Sequence, residues 1–514
     1  MSKTIIIIGA GLAGLSAALQ AAENGCNVKL VSSFPSERAQ SVMAEGGINA
    51  ALNTKDENDS PEEHFTDTIK AACGLADPNA VWGMTQAAPE LVHWLLKLGV
   101  QFNMSGYDDV DLRNFGGQKK KRTAFAQSDT GKQIMTAMID AVRRKEASGM
   151  VERFSHHSFL TLRLCGNICC GCVIRDEYSQ ETVELPGDAV IVATGGMHGL
   201  FGNTTGSLSN TGEVTAELFR LGVPLANGEM IQYHPTTVKC GGKRMLISEA
   251  ARGEGGRLFA MKDGKQWYFM EEKYPELGNL MPRDITAREI WKVSHESEVF
   301  LDMTEISDEI ISNKLSGLAD DCMTYLHKDI RKEPVSVLPG IHYFMGGILV
   351  DEQHRTPIQN LYAAGECCAQ YHGANRLGGN SLLGALYGGR VAAKSACEQA
   401  DVVDLSCATQ IDFPPASQIS EIKQLNKVMQ ETMGVVRNEN TLLNGIQTVQ
   451  ALTGNLPLLG MAVLKSALAR KESRGAHWRE DYPKSNDDDY LKTTVARFDG
   501  KQIQISFVPV PERR

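Results

Sequence analysis

The chain lacks long hydrophobic runs. Across its 514 residues, no segment approaches the ~20 apolar residues that a membrane-spanning helix needs. The apolar segment at residues 5–8 is too short for a signal peptide and leads directly into a glycine-rich turn. We therefore predict no direct membrane insertion and a cytoplasmic location, or a peripheral one at a membrane through a partner.

Positive charge is also scarce. The chain has 52 Lys and Arg residues against 62 Asp and Glu, which gives a formal net charge of −10 at pH 7. A negative field argues against nucleic acid and anionic membrane as the main partners. Hydrophobic residues make up 42% of the chain, enough for a packed core, and the length is that of about two to four domains.

The 12 cysteines occur in a chain without a secretion signal, so reduced thiols are expected. Four of them, Cys165, Cys169, Cys170 and Cys172, lie close together in the sequence. Apolar residues alternate around them as in a strand, which favours buried or edge-strand thiols over a metal or cluster site. We therefore predict no bound metal.

Glycine, by contrast, is abundant, and the first glycine cluster stands in an informative context. The pattern predicts a buried parallel strand at residues 3–8, a helix at residues 15–24 and a second strand at residues 27–32. Between the first strand and the helix stands Gly9-Ala10-Gly11-Leu12-Ala13-Gly14. A G-x-G-x-x-G motif in this order predicts a dinucleotide, because the glycines let the backbone approach a pyrophosphate at the helix N-terminus.

The end of the second strand departs from the usual dinucleotide-binding pattern. An acid commonly binds the ribose hydroxyls there, but this strand ends Val31-Ser32-Ser33. A serine hydroxyl can also hydrogen-bond a ribose. We therefore assign this role to Ser32.

Two later segments, at residues 188–196 and 360–366, again read as buried strands that run into glycine turns. Such turns can converge at one edge of an α/β sheet, where ligands bind. The composition becomes polar and charged between them, and the pattern is helical from about residue 400. We predict an α/β fold with a Rossmann-like domain at residues 1–222 and 339–400, an inserted α+β capping domain at 223–338, and a C-terminal helical domain and tail at 401–514.

His, Arg, Ser and Glu residues recur in Gly- or Pro-rich loops. The segments are QYHPT at 232–236, SEAARGEGG at 248–256, PRD at 282–284, HYFMGG at 342–347 and HGANRLGGNSL at 372–382. Guanidinium groups and imidazole N–H groups bind carboxylates, so this composition suits a dianion. A single His is more often a packed residue, and Glu249 with Arg252 could be a helix surface pair. The co-occurrence of these residues with the glycine motif favours a site.

With AEGGINA at 44–50, FGGQ at 115–118, ATGG at 193–196 and AGE at 364–366, these motifs follow the order found in one family. The chain resembles the flavoprotein subunits of succinate dehydrogenase and fumarate reductase from residue 5 to about residue 494. The wider family includes L-aspartate oxidase and soluble fumarate reductases. The resemblance implies that the Rossmann-like domain binds FAD and that hydride passes between the flavin and a C4-dicarboxylate substrate.

The resemblance also implies roles for individual residues. The implied catalytic residues are Arg283, as proton donor, and Glu249 and Arg252, as a proton relay. The implied substrate-binding residues are His342 and Arg376 at one carboxylate, His234 and Ser248 at the other, and Gln118. The implied flavin-binding residues are Gly9, Gly11, Leu12, Ala13, Gly14, Ser32, Ser41, Glu45, Gly46, Gly47, Ala193, Thr194, Gly195, Asn210, Thr211, Glu366, Arg376, Ser381 and Leu382.

Gln40 departs from the family pattern. In the members that form membrane complexes, a histidine at this position bonds covalently to the flavin. Glutamine cannot form that bond, so we predict noncovalent FAD. Covalent attachment raises the flavin potential, and its loss therefore favours fumarate reduction over succinate oxidation.

The remaining departures concern the substrate and the electron donor. The flap at residues 114–123 lacks the acid that L-aspartate oxidase is expected to use, and residues 472–494 look like the segment that lies near the iron–sulfur subunit in the respiratory enzymes. The chain has no C-x-x-C-H heme motif. We therefore predict a fumarate reductase catalytic subunit with an iron–sulfur partner. L-aspartate oxidase, a reductase of another unsaturated acid and a non-catalytic flavin module remain alternatives.

Overall fold

The structure is a computed structural model that describes residues 2–106, 109–401, 411, 413 and 418–514. Its strands are β1 (Thr4–Ile8), β2 (Asn27–Ser32), β3 (Ile48–Asn49), β4 (Leu112–Arg113), β5 (Thr123–Ala124), β6 (Val151–Ser155), β7 (His157–Cys165), β8 (Ile168–Asp176), β9 (Thr182–Pro186), β10 (Ala189–Val192), β11 (Leu225–Ala226), β12 (Ile231–Cys240), β13 (Lys243–Leu246), β14 (Arg257–Lys262), β15 (Lys265–Trp267), β16 (Val299–Asp302), β17 (Val335–Ser336), β18 (Leu338–Phe344), β19 (Gly347–Leu349), β20 (Leu361–Ala363), β21 (Cys368–Ala369), β22 (Lys492–Phe498) and β23 (Ile503–Pro509).

Helices connect and cover these strands. They are α1 (Leu12–Glu23), α2 (Pro61–Ala71), α3 (Pro78–Lys97), α4 (Thr130–Ala147), α5 (Glu213–Arg220), α6 (Glu249–Gly253), α7 (Phe269–Lys273), α8 (Arg283–Val293), α9 (Asp308–Lys314), α10 (Ser316–Asp321), α11 (Asn380–Gln399), α12 (Ile419–Thr432), α13 (Glu439–Val449), α14 (Asn455–Ala469) and α15 (Asp487–Tyr490).

A parallel five-stranded sheet forms the framework, in the order β20-β10-β1-β2-β6. The predicted first and second strands are confirmed as β1 and β2. The helix between them begins at Leu12, three residues before its predicted start. Gly14 in its first turn leaves no room for a side chain, since a Cβ there would stand 1.9 Å from the Gly9 carbonyl oxygen. Helix α11 lies against α1, and a Cβ on Gly389 would stand 2.2 Å from the Ala13 carbonyl oxygen. The two helices can therefore approach closely.

The insertion between β10 and β20 has a core of its own. The sheet β15-β14-β16-β17 and helices α6 to α10 bury apolar residues drawn from positions 247–337. Phe115, from outside this range, completes the cluster. Strands β12 and β18 pair antiparallel and carry the chain into and out of the insertion.

The C-terminal segment differs from its predicted helical character at its end. Helices α12, α13 and α14 pack together over a shared apolar cluster, as the helical pattern indicates. Residues 492–509, however, form the hairpin β22–β23, and β22 pairs with β11 in the sheet β21-β19-β11-β22-β23. Residues 402–410, 412 and 414–417 of the predicted C-terminal domain lie outside the described residues.

Two further features concern membranes and metals. Among the described residues, no helix is long and apolar enough to cross a membrane. Cys169, Cys170 and Cys172 are buried free thiols on β8, as predicted. Cys165, at the end of β7, is disulfide-bonded, so the expectation of reduced thiols is wrong for this residue. No group of three or more His, Cys, Asp or Glu side chains in the described part of the chain is arranged to hold a metal ion.

Candidate active site

A cavity of about 510 Å³ opens beside the carboxyl ends of β1, β10 and β20. The turns that follow these strands line it, as expected where parallel strands end at one sheet edge. The insertion covers the other side through residues of β12, β13, α6 and α8. The predicted residues that line the cavity are Gly9, Gly11, Leu12, Ala13, Ser32, Ser41, Glu45, Gly46, Gly47, Ala193, Thr194, Gly195, Asn210, Thr211, His234, Ser248, Glu249, Arg283, His342, Glu366, Arg376, Ser381 and Leu382.

The glycine turn at one end of the cavity fits a dinucleotide. Gly9 has a φ of 108°, and a Cβ there would stand 2.3 Å from the carbonyl oxygen of Ala193, so only glycine is tolerated. Gly11 is the N-cap of α1 and has no side chain to satisfy the helix N–H groups. A Cβ there would stand 3.7 Å from Ala39 Cβ and from Ser41 Oγ, and the backbone N–H of Leu12 donates to Ser41 Oγ at 3.3 Å. The turn lines the cavity at the N-terminus of α1, and a helix N-terminus placed in this way binds phosphate.

The residues at the other end of the cavity form a cluster suited to an anion. The imidazoles of His234 and His342 stand with ring centres 5.1 Å apart. Burial, reinforced by neighbouring cationic groups, lowers the pKa of both histidines well below the usual range, so both are neutral at neutral pH. Burial and the nearby charge of Arg283 lower the pKa of Arg376 to about 9, and its Nε has no hydrogen-bond partner. The cluster therefore offers donors and a positive charge in need of an acceptor.

Irregular strand pairing places the two histidines. In the β12–β18 pair, Gln232 is opposite Tyr343 but the next residue, Tyr233, is opposite Ile341, so His342 is an extra residue. A second irregularity follows His234, where Pro235 interrupts the ladder. Such bulges turn side chains out of the regular alternation, and they are common beside active sites.

Glu249 lies between two arginines at the start of α6. Its Oε2 accepts hydrogen bonds from Arg283 Nε and Nη2, at 2.8 and 2.5 Å, and its Oε1 stands 3.2 Å from Arg252 Nη2. Burial alone would raise the pKa of Glu249, but the two guanidinium groups outweigh it and the pKa is lowered. The result is a buried row of three charges, Arg252, Glu249 and Arg283, that ends in the cavity.

Local sequence explains how this row forms. Ser248 is the N-cap of α6 and accepts from the backbone N–H of Ala250, which places Glu249 in the first turn of the helix and Arg252 in its last turn. Arg283 is the first residue of α8 and directly follows Pro282, the N-cap of that helix. Each residue of the row is thus held at a helix end rather than on a free loop.

Three predicted residues do not line the cavity. Gly14 is a packing position, since a Cβ there would stand 1.9 Å from the Gly9 carbonyl oxygen. Arg252 is buried behind Glu249 and donates to the Asn279 carbonyl at 2.6 Å. The Nε2 of Gln118 donates to Asn49 Oδ1 at 3.0 Å and to the Gly378 carbonyl at 2.9 Å. Gln118 therefore supports the site from outside the cavity in this structure.

The basic residues that follow Gln118 in the sequence form ion pairs outside the cavity. Arg122 is buried and forms ion pairs with Asp59 and Asp67 at 2.8 and 3.0 Å. Lys120 pairs with Glu63 at 2.7 Å. These charges fasten the flap to residues 57–67, so they do not add positive charge to the cavity.

Other residues of the site carried no role in the sequence-based prediction. Gln232 accepts from Arg283 Nη1 at 3.1 Å and donates to the Arg376 carbonyl at 2.9 Å, so it joins the two arginine segments. Tyr343 lines the cavity next to His342. Both belong to motifs noted in the sequence, but only the fold shows that their side chains meet the arginines.

Gln40 and Glu45 also line the cavity. The amide oxygen of Gln40 accepts from the backbone N–H of Ser207 at 2.6 Å. Glu45 is buried, and one of its carboxyl oxygens has no hydrogen-bond partner. Burial, reinforced by Asp321, raises the pKa of Glu45 from its usual 4.5 to about 8.

Comparison with known proteins agrees with this geometry. Residues 4–382 match the family model of an FAD binding domain, and residues 452–513 match that of the fumarate reductase flavoprotein C-terminal region. These matches define a flavin-dependent oxidoreductase and support FAD as its cofactor.

Individual relatives match over more than nine-tenths of their length. The succinate dehydrogenase flavoprotein subunit of Bacillus subtilis is 38% identical, with 100% of this chain and 98% of the relative covered. The 8-methylmenaquinol:fumarate reductase flavoprotein subunit of Wolinella succinogenes is 32% identical, with coverage of 100% and 92%. A solved structure of E. coli quinol fumarate reductase FrdA, in a Glu-to-Gln variant, has a TM-score of 0.89 at 27% identity and coverage of 99% and 97%. The chain belongs to the succinate dehydrogenase and fumarate reductase flavoprotein family.

Proposed function

We propose that the chain is the catalytic flavoprotein subunit of a fumarate reductase that reduces fumarate to succinate with noncovalently bound FAD. The observation that carries the proposal is the convergence of Arg283, Arg376, His234, His342 and Ser248 at one end of a cavity whose other end is the glycine cradle. A planar C4-dianion needs donors at both carboxylates and an acid between them. The cavity provides this set.

The two ends of the substrate are held by different elements. His342 and Arg376 bind one carboxylate, and His234 and Ser248 bind the other. Each neutral histidine has a single N–H. In the tautomer whose Nδ1 accepts from the backbone N–H of Thr236 at 3.3 Å, the Nε2–H of His234 donates to a carboxylate without adding charge, while Arg376 contributes the fixed cation. Since Ser248 replaces the threonine usual in the family, the hydroxyl donor is retained in a slightly smaller side chain.

Bound FAD supplies the hydride. Hydride addition to one alkene carbon places negative charge on the neighbouring carbon and its carboxylate, and fixed cations stabilise that charge in the transition state. Arg283 protonates the carbanion, because even a weak acid such as a guanidinium suffices for so strong a base. Glu249, within hydrogen-bonding distance of Arg283 Nη2, and then Arg252 return the proton to Arg283.

Gln40 supports the noncovalent flavin and the reductive direction. Its side chain lines the cavity at the position of the linking histidine and bonds the backbone of Ser207 instead. A flavin without the covalent link keeps a lower potential, and a lower potential favours electron donation to fumarate. The relatives include succinate dehydrogenase and fumarate reductase subunits, so the direction rests on this residue.

The electron donor is a separate protein. The relatives are named as subunits, and the match to the C-terminal region extends this likeness to residues 452–513. We infer an iron–sulfur electron-transfer subunit that docks near this region and connects the chain to a membrane. The electrons for fumarate reduction would then come from outside the chain.

The first experiment is anaerobic fumarate reduction by the purified chain with a reduced viologen, followed by acid precipitation. We expect turnover, and we expect yellow FAD in the supernatant rather than in the pellet. Absence of fumarate reduction with FAD bound would contradict the proposed substrate. Peroxide release on addition of L-aspartate in air would instead identify an L-aspartate oxidase.

Arg283→Lys and Arg283→Ala test the assigned acid. Both should abolish fumarate reduction, because the proton donor is lost or displaced, while FAD stays bound at the opposite end of the cavity. Arg288→Ala is the matched control: Arg288 lies on the same helix but outside the cavity, against Trp478. Normal turnover in the Arg283 variants would refute the role.

A further inference from the structure

Tyr343 follows His342 on β18, and no step of the proposed reaction uses it. Its side chain lines the cavity and is 9% exposed. The guanidinium carbon of Arg376 lies 4.3 Å from the centre of the Tyr343 ring, so the cation stands over the face of the ring. The face of an aromatic ring carries partial negative charge and attracts a cation, most strongly where water is excluded.

Arg376 has few other partners. It is 3% exposed, and its Nε forms no hydrogen bond with any described residue. The Glu249 carboxylate in the same cavity is already paired with Arg283 and Arg252. The Tyr343 ring is therefore a principal contact of this cation before a substrate binds.

The ring itself is firmly held. Tyr343 stands opposite Gln232 in the β12–β18 ladder, which fixes its backbone. The imidazole of His372 packs edge-on against the ring, with centres 5.3 Å apart and planes at 81°. Burial, reinforced by Arg376, lowers the pKa of His372 well below the usual range, so this neighbour adds no competing positive charge.

We propose that Tyr343 is a positioning residue for the substrate clamp: its ring face holds the Arg376 guanidinium flat and keeps its N–H edge free for one carboxylate. The inference rests on the proposed function, in which Arg376 binds the dicarboxylate. A planar fork stacked on a ring keeps both of its donors in one plane, as bidentate recognition of a carboxylate requires.

The contact also has an electrostatic consequence. Burial and the charge of Arg283 lower the pKa of Arg376 to about 9. The partial negative charge of the Tyr343 ring face, 4.3 Å from the guanidinium carbon, favours the charged form of Arg376. Without the ring the guanidinium would lose its proton at lower pH. Binding of a carboxylate needs the cation, so the loss of affinity at alkaline pH should then begin earlier.

The test uses the full-length, FAD-loaded protein with Tyr343→Phe and Tyr343→Leu. The KM and kcat for fumarate, and the Kd for malonate from the flavin spectrum, are measured from neutral to alkaline pH. The Phe variant keeps the ring face and should stay within roughly twofold of the wild type. In the Leu variant, malonate binding should be weaker and KM higher by roughly tenfold or more. The pH above which malonate affinity falls should also be lower than in the wild type. Tyr387→Leu is the matched control, because it removes an aromatic ring that lies outside the cavity.

If the Leu variant does not fold, a series of milder substitutions at Tyr343 tests the same proposal. Tyr343→Phe with successively fluorinated rings keeps the shape but weakens the negative face, and malonate affinity should fall with each fluorine. Constant affinity along the series, or an equal loss in the Phe and Leu variants, would overturn the proposal. If the wild type binds malonate but does not reduce fumarate, the reaction is wrong, and the malonate affinities still decide the role of Tyr343.

Discussion

At the scale of single residues, Glu249 shows how strongly the site depends on one buried charge. Glu249→Gln removes the negative charge between Arg283 and Arg252 and leaves two buried cations adjacent. We expect turnover to fall by orders of magnitude and stability to drop by about 3–5 kcal/mol. Rates with reduced viologen and urea unfolding curves measure the two effects. Near-normal rates would show that the proton reaches Arg283 by a route that does not use Glu249.

Glu45 makes stability depend on pH. Its pKa is raised from 4.5 to about 8 in the folded chain, whereas the unfolded chain ionises near the usual value. The folded state therefore holds the proton across this window, and stability falls as pH rises from about 4.5 to 8, by a few kcal/mol. Glu45→Gln in the flavin-free protein should raise Tm at pH 8 and leave it unchanged near pH 4.5. Parallel Tm profiles for both proteins would contradict the shift.

The sequence predicts the residues of the site better than their contacts. The glycine motif, the histidines and the arginines could be named because their chemistry is visible in the motifs. The hydrogen bonds of Gln118 could not be named, since its partners Asn49 and Gly378 come from distant segments. The stacking of Arg376 on Tyr343 likewise depends on the register of β18.

At the scale of elements, the parallel strands are predicted closely and the C-terminal hairpin is not. All residues of strand β1 are β-branched, and the four after Thr4 are buried isoleucines, which is typical of a buried parallel strand. Strand β23 is half exposed, with mixed polar residues, and carries no comparable pattern. Its neighbour β22 is paired with β11, more than 260 residues away, and no local signal predicts such a contact.

The link between the C-terminal helices and this hairpin is a buried ion network centred on Arg470. Its guanidinium contacts Glu229 and Glu472, each at 2.7 Å, and donates to the carbonyl of Lys492 and the hydroxyl of Thr494. Arg470→Ala would leave both carboxylates buried without this counter-charge. We expect a loss of about 3–5 kcal/mol, measured by denaturant unfolding.

The control for Arg470 is Arg497→Ala, an exposed arginine on β22, which should change stability by less than about 0.5 kcal/mol. Equal effects of the two substitutions would show that the network adds nothing to the docking of the hairpin. Hydrogen exchange can locate the effect within the molecule. We expect Arg470→Ala to speed the exchange of backbone amides in the β22–β23 hairpin more than in the parallel sheet, because the lost contacts lie at the hairpin.

At the scale of the whole molecule, the flavin should act as a reversible stabiliser. The cavity is lined by the parallel sheet on one side and by the insertion on the other, so a ligand that fills it would contact both. A ligand that binds only the folded state adds about 2.7 kcal/mol at a free concentration of 100 times its Kd. If Gln40 leaves the flavin unlinked, Tm must rise with added FAD and fall after the flavin is stripped.

The decisive comparison is between FAD and riboflavin. Riboflavin carries the ring system but lacks the pyrophosphate that the N-terminus of α1 and the Gly9–Gly14 turn are shaped to bind. Added FAD should restore the Tm of the stripped protein by several degrees, and riboflavin at the same concentration should restore much less. The contrary result would be a Tm that does not change with added FAD, together with flavin retained in the acid pellet. It would mean that a covalent bond to the flavin forms without the histidine. The argument from Gln40 to the reductive direction would then fail as well, because both depend on an unlinked flavin.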